Sequence, residues 1–469
     1  MPLPYLIEIL PLTKPVQAEI TIPGSKSITN RALILAALAE GETTLRGALW
    51  SEDTQVMVEA LGKLGFEVKV ETDPLEFCNR AITVKGQRGR IPMAGTEAKP
   101  LEIFVGNAGT AARFLAALVC LGKGVYRLHG VPRMHERPQK ALFVALRELG
   151  YRVDSENDKL PALICGAGPR GGKCRVSVDE SSQFASALLL CATRGHWEVE
   201  VVGANAEESP YIAMTTKLAD SFQDGVGKFQ IEPDASSGSY FLAANWLLHS
   251  CEFLRWIEGS EDQRVSAPFP PQFTSVRVAH WPSSGWQIDA DFAKLILARE
   301  PVLSGSQRSR SSEDHVCLAL PVEISRQHDL GDSIMTAAIL APFNNNSVRL
   351  TDLGRLRLQE TERVVALRTE LTKCGAKATE NGNTLIIEPS AQSLHGAEIE
   401  TYNDHRMAMC FAVLGLRVPG IRILNPACVK KTFPNFFQKL ASAPPHGLGA
   451  TILDAATGHK LGLEELFAD

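Results

Sequence analysis

Several polar motifs in this 469-residue chain carry side chains that could bind an anion. The first, PGSKSITNRALILAALAEG from Pro23, puts Lys26, Ser27 and Arg31 at the start of an apolar helical pattern. A helix N-terminus has free N–H groups and a partial positive charge, so an ammonium, a hydroxyl and a guanidinium could face one anion there. The alternative is a capped helix whose basic end is solvated.

Five further motifs combine small or aromatic residues with charged side chains. They are GNAGTAARF from Gly106, PRMHERP from Pro132, QETERVVAL from Gln359, YNDHRMAMCF from Tyr402 and KTFPNFF from Lys431. Two carboxylates, Asp332 in DLGDSIMT and Glu360 in QETER, are candidates for proton transfer. Taken alone, Asp332 is equally well explained as a helix N-cap, and Glu360 as an exposed partner of Arg363 three residues later.

A recurring segment indicates how the chain positions these motifs. A few small polar residues are followed at once by an Ala/Leu-rich stretch, six times, from Gly24, Gly106, Ser181, Asp234, Gly331 and Asn403. Each predicts a capped, mostly buried helix, followed by a more amphipathic helix and separated by strand-like segments such as LEIFV and IRILN. Six such units predict an α/β fold with three units in each of two domains. Several helix N-termini that converged on one cleft would form an anion site.

Two regions interrupt this pattern, and the end of the chain lies outside it. The Pro-rich stretch from Cys251 to Ser275 predicts an irregular insertion, and QRSRSSEDH from Gln307 predicts a charged surface loop. The tail from Pro444 has turn residues before a candidate short helix, LEELFAD.

Composition excludes several classes of protein. Hydrophobic residues make up 45% and charged residues 22% of the chain, as in folded globular proteins. No apolar run exceeds eight residues, well short of the roughly 20 needed to cross a bilayer. Because 48 Lys and Arg face 53 Asp and Glu, a nucleic-acid partner is not expected. The N-terminal segment has neither a basic region nor a cleavage site, so we expect no signal peptide and a cytoplasmic protein.

The common catalytic and metal-binding motifs are missing. The ten cysteines are scattered without a CxxC pair, which favours buried thiols in a reducing compartment. The chain contains no P-loop, no GxSxG and no HExxH, and its GxGxxG from Gly166 has Pro169 inside it and a strand-like segment after it. We therefore expect no metal and no cofactor.

Taken together, the motifs resemble those of the 5-enolpyruvylshikimate-3-phosphate synthases, a family of enolpyruvyl transferases. The resemblance runs from about Ile20 to Leu440, with gaps in the middle. It implies a two-domain inside-out α/β barrel with three βαβαββ units per domain and an active site in the interdomain cleft. The implied first domain is 1–23 with 237–445, the second is 24–236, and 446–469 is a C-terminal tail.

The resemblance also implies a reaction. The enolpyruvyl group of phosphoenolpyruvate would move to the 5-hydroxyl of shikimate 3-phosphate, with release of phosphate, on the route to chorismate and the aromatic amino acids. Addition and elimination at C2 would cleave the C–O bond of phosphoenolpyruvate, so no metaphosphate-like charge requires a magnesium ion. These two small molecules would be the only partners required, without nucleic acid, membrane or protein partner, and we expect a monomer.

The site residues follow from the resemblance motif by motif. Asp332 would accept the proton of the 5-hydroxyl, and Glu360, with Lys26 as a second candidate, would protonate the methylene carbon. Arg113 would be structural and brace the loop after Gly109. Shikimate 3-phosphate would contact Lys26, Ser27, Arg31, Ser181, Ser182, Gln183, Tyr211 and Asp332. Phosphoenolpyruvate would contact Gly109, Arg137, Arg363, Arg406 and Lys431, with Asn107 lining that wall.

Charge supports this assignment. Two phosphates, at about −1.5 to −2 each, and two carboxylates bring roughly −5 to −6 into one cleft. The six cations of the implied site would nearly balance that charge, and arginine suits both groups because its planar fork bonds them bidentately.

The chain departs from the family pattern at several positions. Gln359 occupies the place of a Lys that usually contacts shikimate 3-phosphate, so we expect weaker substrate binding, which Gln359→Lys would strengthen, without loss of activity. Glu208 stands where a Ser is usual, with Ser209 after it, so which of them reaches the phosphate is open. Phe114 replaces a common Pro at a position that affects the response to glyphosate, and we expect altered sensitivity. The third unit also looks abbreviated.

Two other functions compete with this one. The sister enolpyruvyl transferase that acts on UDP-N-acetylglucosamine has a reactive Cys in a mobile loop and lacks the SKSxxNR motif. Here residues 130–138 contain no Cys, and SKSITNR is intact. A non-catalytic anion-binding protein would explain Gln359 and Glu208, but the motif residues from Lys26 to Lys431 argue against it.

Overall fold

A computed structural model describes residues 3–74, 76–203, 210–222, 227–258, 275–296 and 319–468, with the backbone alone for 249–258. The residues Glu208 and Ser209 and the predicted loop from Gln307 lie outside these ranges. The α-helices are α1 (Lys26–Leu38), α2 (Glu52–Lys63), α3 (Gly109–Cys120), α4 (Pro132–Glu136), α5 (Lys140–Glu148), α6 (Ser182–Gly195), α7 (Pro210–Ser221), α8 (Ala235–Glu258), α9 (Phe292–Ile296), α10 (Ile334–Leu340), α11 (Arg363–Lys373), α12 (His405–Gly415) and α13 (Phe436–Ala441).

The strands are short and spread along the chain. They are β1 (Leu6–Ile9), β2 (Gln17–Ile20), β3 (Glu40–Leu49), β4 (Val68–Thr72), β5 (Asn79–Gln87), β6 (Leu101–Phe104), β7 (Lys123–His129), β8 (Arg152–Asp154), β9 (Ala162–Ala167), β10 (Gly172–Ser177), β11 (Trp197–Val202), β12 (Lys228–Gln230), β13 (Ser275–Val278), β14 (Glu323–Ser325), β15 (Val348–Thr351), β16 (Lys377–Asn381), β17 (Thr384–Glu388), β18 (Glu398–Ile399), β19 (Ile421–Leu424) and β20 (Ile452–Asp454). Single 3₁₀ turns include Leu353–Leu358 and Pro426–Lys431.

All six polar-then-apolar segments form the predicted helices, α1, α3, α6, α8, α10 and α12. In α3 every residue is buried, because most of its residues are apolar and its two polar side chains, Thr110 and Arg113, are buried as well. Side chains cap three of the starts: Ser181 accepts a bond from the Gln183 N–H, Asp234 accepts one from the Ser237 N–H, and Asp404 accepts one from the Arg406 N–H. None of the described helices combines the length and the apolar character that a bilayer crossing requires.

One prediction about these helices is wrong. The stretch from Cys251 was expected to be irregular, but α8 continues through it to Glu258. The physical reason is that CEFLRWIE contains neither Gly nor Pro, and the first helix-breaking residue is Gly259. Residues 259–274 lie outside the described part of the chain.

The sheets repeat one arrangement four times. In each four-stranded sheet the first two strands are parallel and the other neighbours antiparallel, with orders β12-β3-β5-β4, β6-β7-β9-β8, β14-β15-β17-β16 and β18-β19-β1-β20. Two further sheets, β10-β11 and β2-β13, are single parallel pairs.

Buried side chains form two separate hydrophobic cores. One contains apolar residues between Ile28 and Ile231, and the other contains residues between Leu3 and Ile22 together with residues from Tyr240 onward. Strand β1 belongs to the second core because it pairs with β19, and β20 from the C-terminal tail pairs with its other edge. The described cysteines are free thiols, and all but Cys165 and Cys428 are buried.

A buried carboxylate joins the two cores. Glu76 precedes β5 in the first core and is 4% exposed. Its carboxylate accepts hydrogen bonds from the Thr21 hydroxyl at 2.8 Å, the Asn435 amide at 2.7 Å and the Lys439 ammonium at 2.7 Å, all from segments of the second core. Lys439 also donates to the Thr21 hydroxyl at 2.7 Å, so Glu76 and its partners form one hydrogen-bonded cluster between the two cores.

We expect Glu76→Ala to lower the free energy of unfolding by about 3 kcal/mol, since it leaves the buried Lys439 charge without its partner. Urea unfolding followed by circular dichroism measures this loss. The control is Glu67→Ala, which removes an exposed partner of Lys85 and should cost less than about 1 kcal/mol. Equal losses in the two variants would contradict the role of Glu76 as a link between the cores.

Candidate active site

One polar cleft collects the N-termini of all six buried helices. Its lining includes Lys26 at α1, Thr110 at α3, Ser182 at α6, Ser236 at α8 and Arg406 at α12, with Asp332 just before α10. Helices that pack in the two different hydrophobic cores therefore begin at the same space. The expected convergence of helix N-termini on one cleft is present, and it directs free N–H groups and partial positive charge into the cleft.

Most of the site residues predicted from the sequence line this cleft. They are Lys26, Ser27, Arg31, Arg137, Ser181, Ser182, Gln183, Tyr211, Asp332, Gln359, Glu360, Arg363 and Arg406. The other three lie against these residues: Lys431 Nζ is 3.0 Å from Glu360 Oε1, the Asn107 carbonyl accepts a bond from Arg137 at 3.2 Å, and Gly109 contacts Arg137.

Arg363 is the centre of the charged cluster. Its side chain is 1% exposed, and its Nε lies 2.7 Å from Asp404 Oδ2 while Nη2 lies 3.2 Å from Asp404 Oδ1. The same guanidinium lies 2.8 Å from Glu360 Oε2 and 3.5 Å from Asp332 Oδ2. Its charge lies among three carboxylates, as a buried charge requires, and it fixes both candidate catalytic carboxylates relative to each other.

Asp332 is surrounded by guanidinium groups. Its carboxylate lies 2.9 Å from Arg326 Nη2, 3.3 Å from Arg406 Nε and 3.5 Å from Arg363 Nη1. Burial alone would raise the pKa of Asp332, but the charges of Arg406, Arg326 and Arg363 hold it well below its usual value. The group is therefore an ionised acceptor of protons at neutral pH.

Glu360 occupies a second cationic pocket, on the other side of Arg363. Its carboxylate bridges Lys431 Nζ at 3.0 Å and Arg363 Nη2 at 2.8 Å. Burial would raise the pKa of Glu360, but Lys431, Arg363 and Arg137 lower it well below the usual value. This carboxyl is also ionised, so a role as a proton donor requires a change in its surroundings.

Lys26 lies at the first turn of α1. Its ammonium is 3.0 Å from Asp53 Oδ2, and its backbone N–H donates to Asp234 Oδ2 at 3.3 Å. Asp53 is 5% exposed at the side chain, so this pair holds Lys26 at the cleft wall rather than in solvent. The charge estimate made from the sequence compared six cations with two anionic substrates, and it did not include the negative charges of Asp53 and Asp404.

Arg31, on the next turn of α1, is held by neutral partners. Its guanidinium donates to Thr215 Oγ1 at 2.8 Å, Ser186 Oγ at 3.0 Å and the Ser27 carbonyl at 2.9 Å. The Arg31 guanidinium carbon also lies 5.2 Å from the ring centroid of Phe114, the residue that replaces a common Pro. Burial lowers the pKa of Arg31 to about 10, which leaves it charged at neutral pH.

Gly109 allows Arg137 to approach the start of α3. A Cβ at this position would lie 2.6 Å from Arg137 Nη2 and 2.9 Å from Arg113 Nη1, closer than real Cβ contacts. Arg113 donates to the Gly109 carbonyl at 3.0 Å and to the Pro138 carbonyl at 2.8 Å. These bonds are the bracing expected of Arg113.

The start of α6 contributes neutral polar side chains to the cleft, beside Glu180. Ser181, Ser182 and Gln183 form the first turn of α6, and the Gln183 amide donates to Thr110 at 3.3 Å. Burial raises the pKa of Tyr211, so its phenol stays neutral and can donate a hydrogen bond. Free hydroxyls and N–H groups at a helix start can bind a phosphate.

Sequence reasoning missed several charged residues in or beside this site, among them Asp53, Arg326, Arg355 and Asp404. Asp404 lies inside the motif YNDHRMAMCF, and Asp53 lies at a predicted helix start. Both could therefore have been proposed from the sequence. Arg326 and Arg355 lie in irregular segments whose residue types suggest no ligand. In the described ranges no cluster of three or more His, Cys, Asp or Glu side chains has the geometry to hold a metal ion.

Solved structures share this fold. EPSP synthase from Acinetobacter baumannii matches with a TM-score of 0.67 and 22% identity, covering 95% of this chain and 99% of that one. The enolpyruvyl transferase NikO from Streptomyces tendae matches with a TM-score of 0.62 and 14% identity, covering 96% and 99%. At these identities the likeness shows a common mixed α/β fold.

Sequence comparisons extend the likeness to a family. The 3-phosphoshikimate 1-carboxyvinyltransferase of Trichormus variabilis is 36% identical over 456 residues, covering 92% of this chain and 98% of the relative. The enzyme of that name from Paraburkholderia phymatum is 37% identical over 455 residues, covering 90% and 95%. A profile of the EPSP synthase (3-phosphoshikimate 1-carboxyvinyltransferase) family matches residues 11–228 and 275–440. The chain therefore belongs to the EPSP synthase family.

Proposed function

We propose that this protein transfers the enolpyruvyl group of phosphoenolpyruvate to the 5-hydroxyl of shikimate 3-phosphate and releases phosphate. The observation that carries the proposal is the pair of ionised carboxylates, Asp332 and Glu360, on either side of the buried Arg363 guanidinium. One carboxylate can serve the attacking hydroxyl and the other the methylene carbon, while the surrounding cations bind both anionic substrates.

We also propose the domain division implied by the sequence: 1–23 with 237–445, then 24–236, as two inside-out barrels of three units each. The two hydrophobic cores and the repeated sheet order support this division. Because the cleft is lined from both cores, closing the domains would bring the cations of each half onto the substrates.

Shikimate 3-phosphate would lie against the α6 start, with its phosphate on Ser181, Ser182 and Gln183 and its ring beside Tyr211. Lys26, Ser27 and Arg31 would bind its other oxygens from the α1 start. Asp332 would then accept the proton of the 5-hydroxyl as that oxygen attacks C2 of phosphoenolpyruvate. An ionised carboxylate suits this step, and the phosphate of the substrate would offset the cations that lower its pKa.

Phosphoenolpyruvate would occupy the pocket of Arg137, Arg363, Arg406 and Lys431. Its carboxylate and phosphate would neutralise the charges that hold the pKa of Glu360 low, so the pKa of Glu360 rises when the substrate binds. Glu360 could then carry the proton that the methylene carbon takes in the addition step, and take it back in the elimination. The same cations would stabilise the departing phosphate.

The reaction itself can be tested with purified protein and phosphoenolpyruvate, without added metal. We expect release of phosphate when shikimate 3-phosphate is the second substrate, and none when UDP-N-acetylglucosamine replaces it. Release with the sugar nucleotide would identify the sister activity instead. Folded protein that releases phosphate with neither would be an anion-binding protein, and the proposed reaction would be wrong.

The role of Glu360 predicts a loss confined to turnover. Glu360→Gln keeps the shape of the side chain but removes its proton transfer, so kcat should fall by about 10²- to 10⁴-fold while KM for phosphoenolpyruvate changes far less. The matched control is Glu362→Gln, on the same segment and paired with Arg357 outside the cleft lining, which should keep kcat within about twofold. A Glu360→Gln enzyme with near-natural kcat would refute this role.

A further inference from the structure

Position 359 carries a neutral glutamine, so another cation is needed near the phosphate of shikimate 3-phosphate. Two arginines that the sequence motifs did not include, Arg326 and Arg355, line the cleft beside Tyr211. They also border a smaller side pocket together with Tyr211 and Gly331. Both guanidinium groups therefore reach the space between Asp332 and the α6 start.

Arg355 lies on the 3₁₀ turn Leu353–Leu358 of the second core but contacts the first. Its Nη2 donates to the Val178 carbonyl at 2.6 Å, three residues before Ser181. Among the described residues, no carboxylate forms an ion pair with Arg355, so its charge has no direct counter-ion in that part of the chain. The negative charge of Asp179, next to Val178, raises the pKa of Arg355. Burial and the charge of Arg326 lower that pKa by more, so the net shift is downward.

Arg326 faces the same space from the other side. Its side chain is 8% exposed, and one nitrogen, Nη2, lies 2.9 Å from Asp332 Oδ1. Its Nε is buried and donates no hydrogen bond within the part of the chain that the structure describes. Arg326 and Arg355 line the same side pocket, and burial and the charge of Arg326 lower the pKa of Arg355, as expected for two like charges near each other. An anion between them would relieve that repulsion and the cost of the unpaired donor.

Gln359 itself points toward a different set of partners. Its amide oxygen accepts a bond from Arg363, and its Nε2 donates weakly to Asp332 at 3.4 Å. The residue thus takes part in the carboxylate cluster.

We propose that Arg355, supported by Arg326, binds the phosphate of shikimate 3-phosphate and takes the place of the lysine that this chain lacks at position 359. This inference rests on the proposed function, because it names a substrate group of that reaction. A guanidinium next to the Ser181–Gln183 turn can bond phosphate oxygens bidentately while its remaining nitrogen stays on the Val178 carbonyl. The same residue would then link phosphate binding to closure of the two cores.

The test measures kcat and both KM values for the natural protein, Arg355→Gln, Gln359→Lys and the double variant. Glutamine keeps a donor for the Val178 carbonyl but removes the charge. In Arg355→Gln we expect KM for shikimate 3-phosphate to rise about tenfold, since a charge-assisted bond is lost, while KM for phosphoenolpyruvate changes less than about twofold. In the double variant, Gln359→Lys should reverse at least about half of this rise in KM for shikimate 3-phosphate, measured on a logarithmic scale. In the natural protein, the same substitution should change this KM by less.

The control Arg349→Gln removes an exposed guanidinium that pairs with Glu323 on the neighbouring strand, and should leave both KM values unchanged. If Arg355→Gln does not fold, Arg355→Lys, with its single ammonium, serves instead and should give the same split with a smaller rise. Equal rises in both KM values, or no recovery by Gln359→Lys, would overturn the proposal and leave Arg355 a closing contact. Absence of turnover in the natural protein would instead refute the proposed function.

Discussion

The guanidinium of Arg363 is buried, and a buried charge is stable only where carboxylates and hydrogen bonds surround it. Here the partners are Asp404 at the start of α12, Glu360 before α11 and Asp332 before α10. Three separate segments of the chain are therefore fixed relative to one group. Removing the cation would leave three carboxylates close together, so the arrangement of the cleft depends on this interaction more than on any other.

That interaction also sets how the site can respond to its substrates. Asp332 and Glu360 are both ionised because cations outweigh the effect of burial on their pKa values. Two anionic substrates would compete for the same cations and so raise both pKa values when they bind. In the proposed reaction, Asp332 would be ready as the proton acceptor beforehand, whereas Glu360 would become a proton donor only when phosphoenolpyruvate is bound. Proton transfer and substrate binding are then coupled by charge alone.

How much the sequence could predict differs from residue to residue. The six buried helices were predictable because their Ala- and Leu-rich pattern and polar starts are local features. Lys26, Asp332 and Glu360 were found through motifs, and the structure brings their side chains into one cleft. Arg326 and Arg355 could not be found, because irregular segments carry no period and their approach to Ser181 depends on contacts between distant parts of the chain. The continuation of α8 to Glu258 was missed because prolines further along made the whole stretch look irregular.

The proposed donation of a proton by Glu360 to the methylene carbon of phosphoenolpyruvate can be followed by deuterium transfer. The reaction is run in D₂O, and the methylene group of the product is examined by NMR. Addition would create a rotating methyl group, so we expect deuterium in the methylene of the product and of recovered phosphoenolpyruvate, and loss of this exchange in Glu360→Gln. A product that contains only hydrogen at this carbon, or undiminished exchange in Glu360→Gln, would rule out Glu360 as the proton donor.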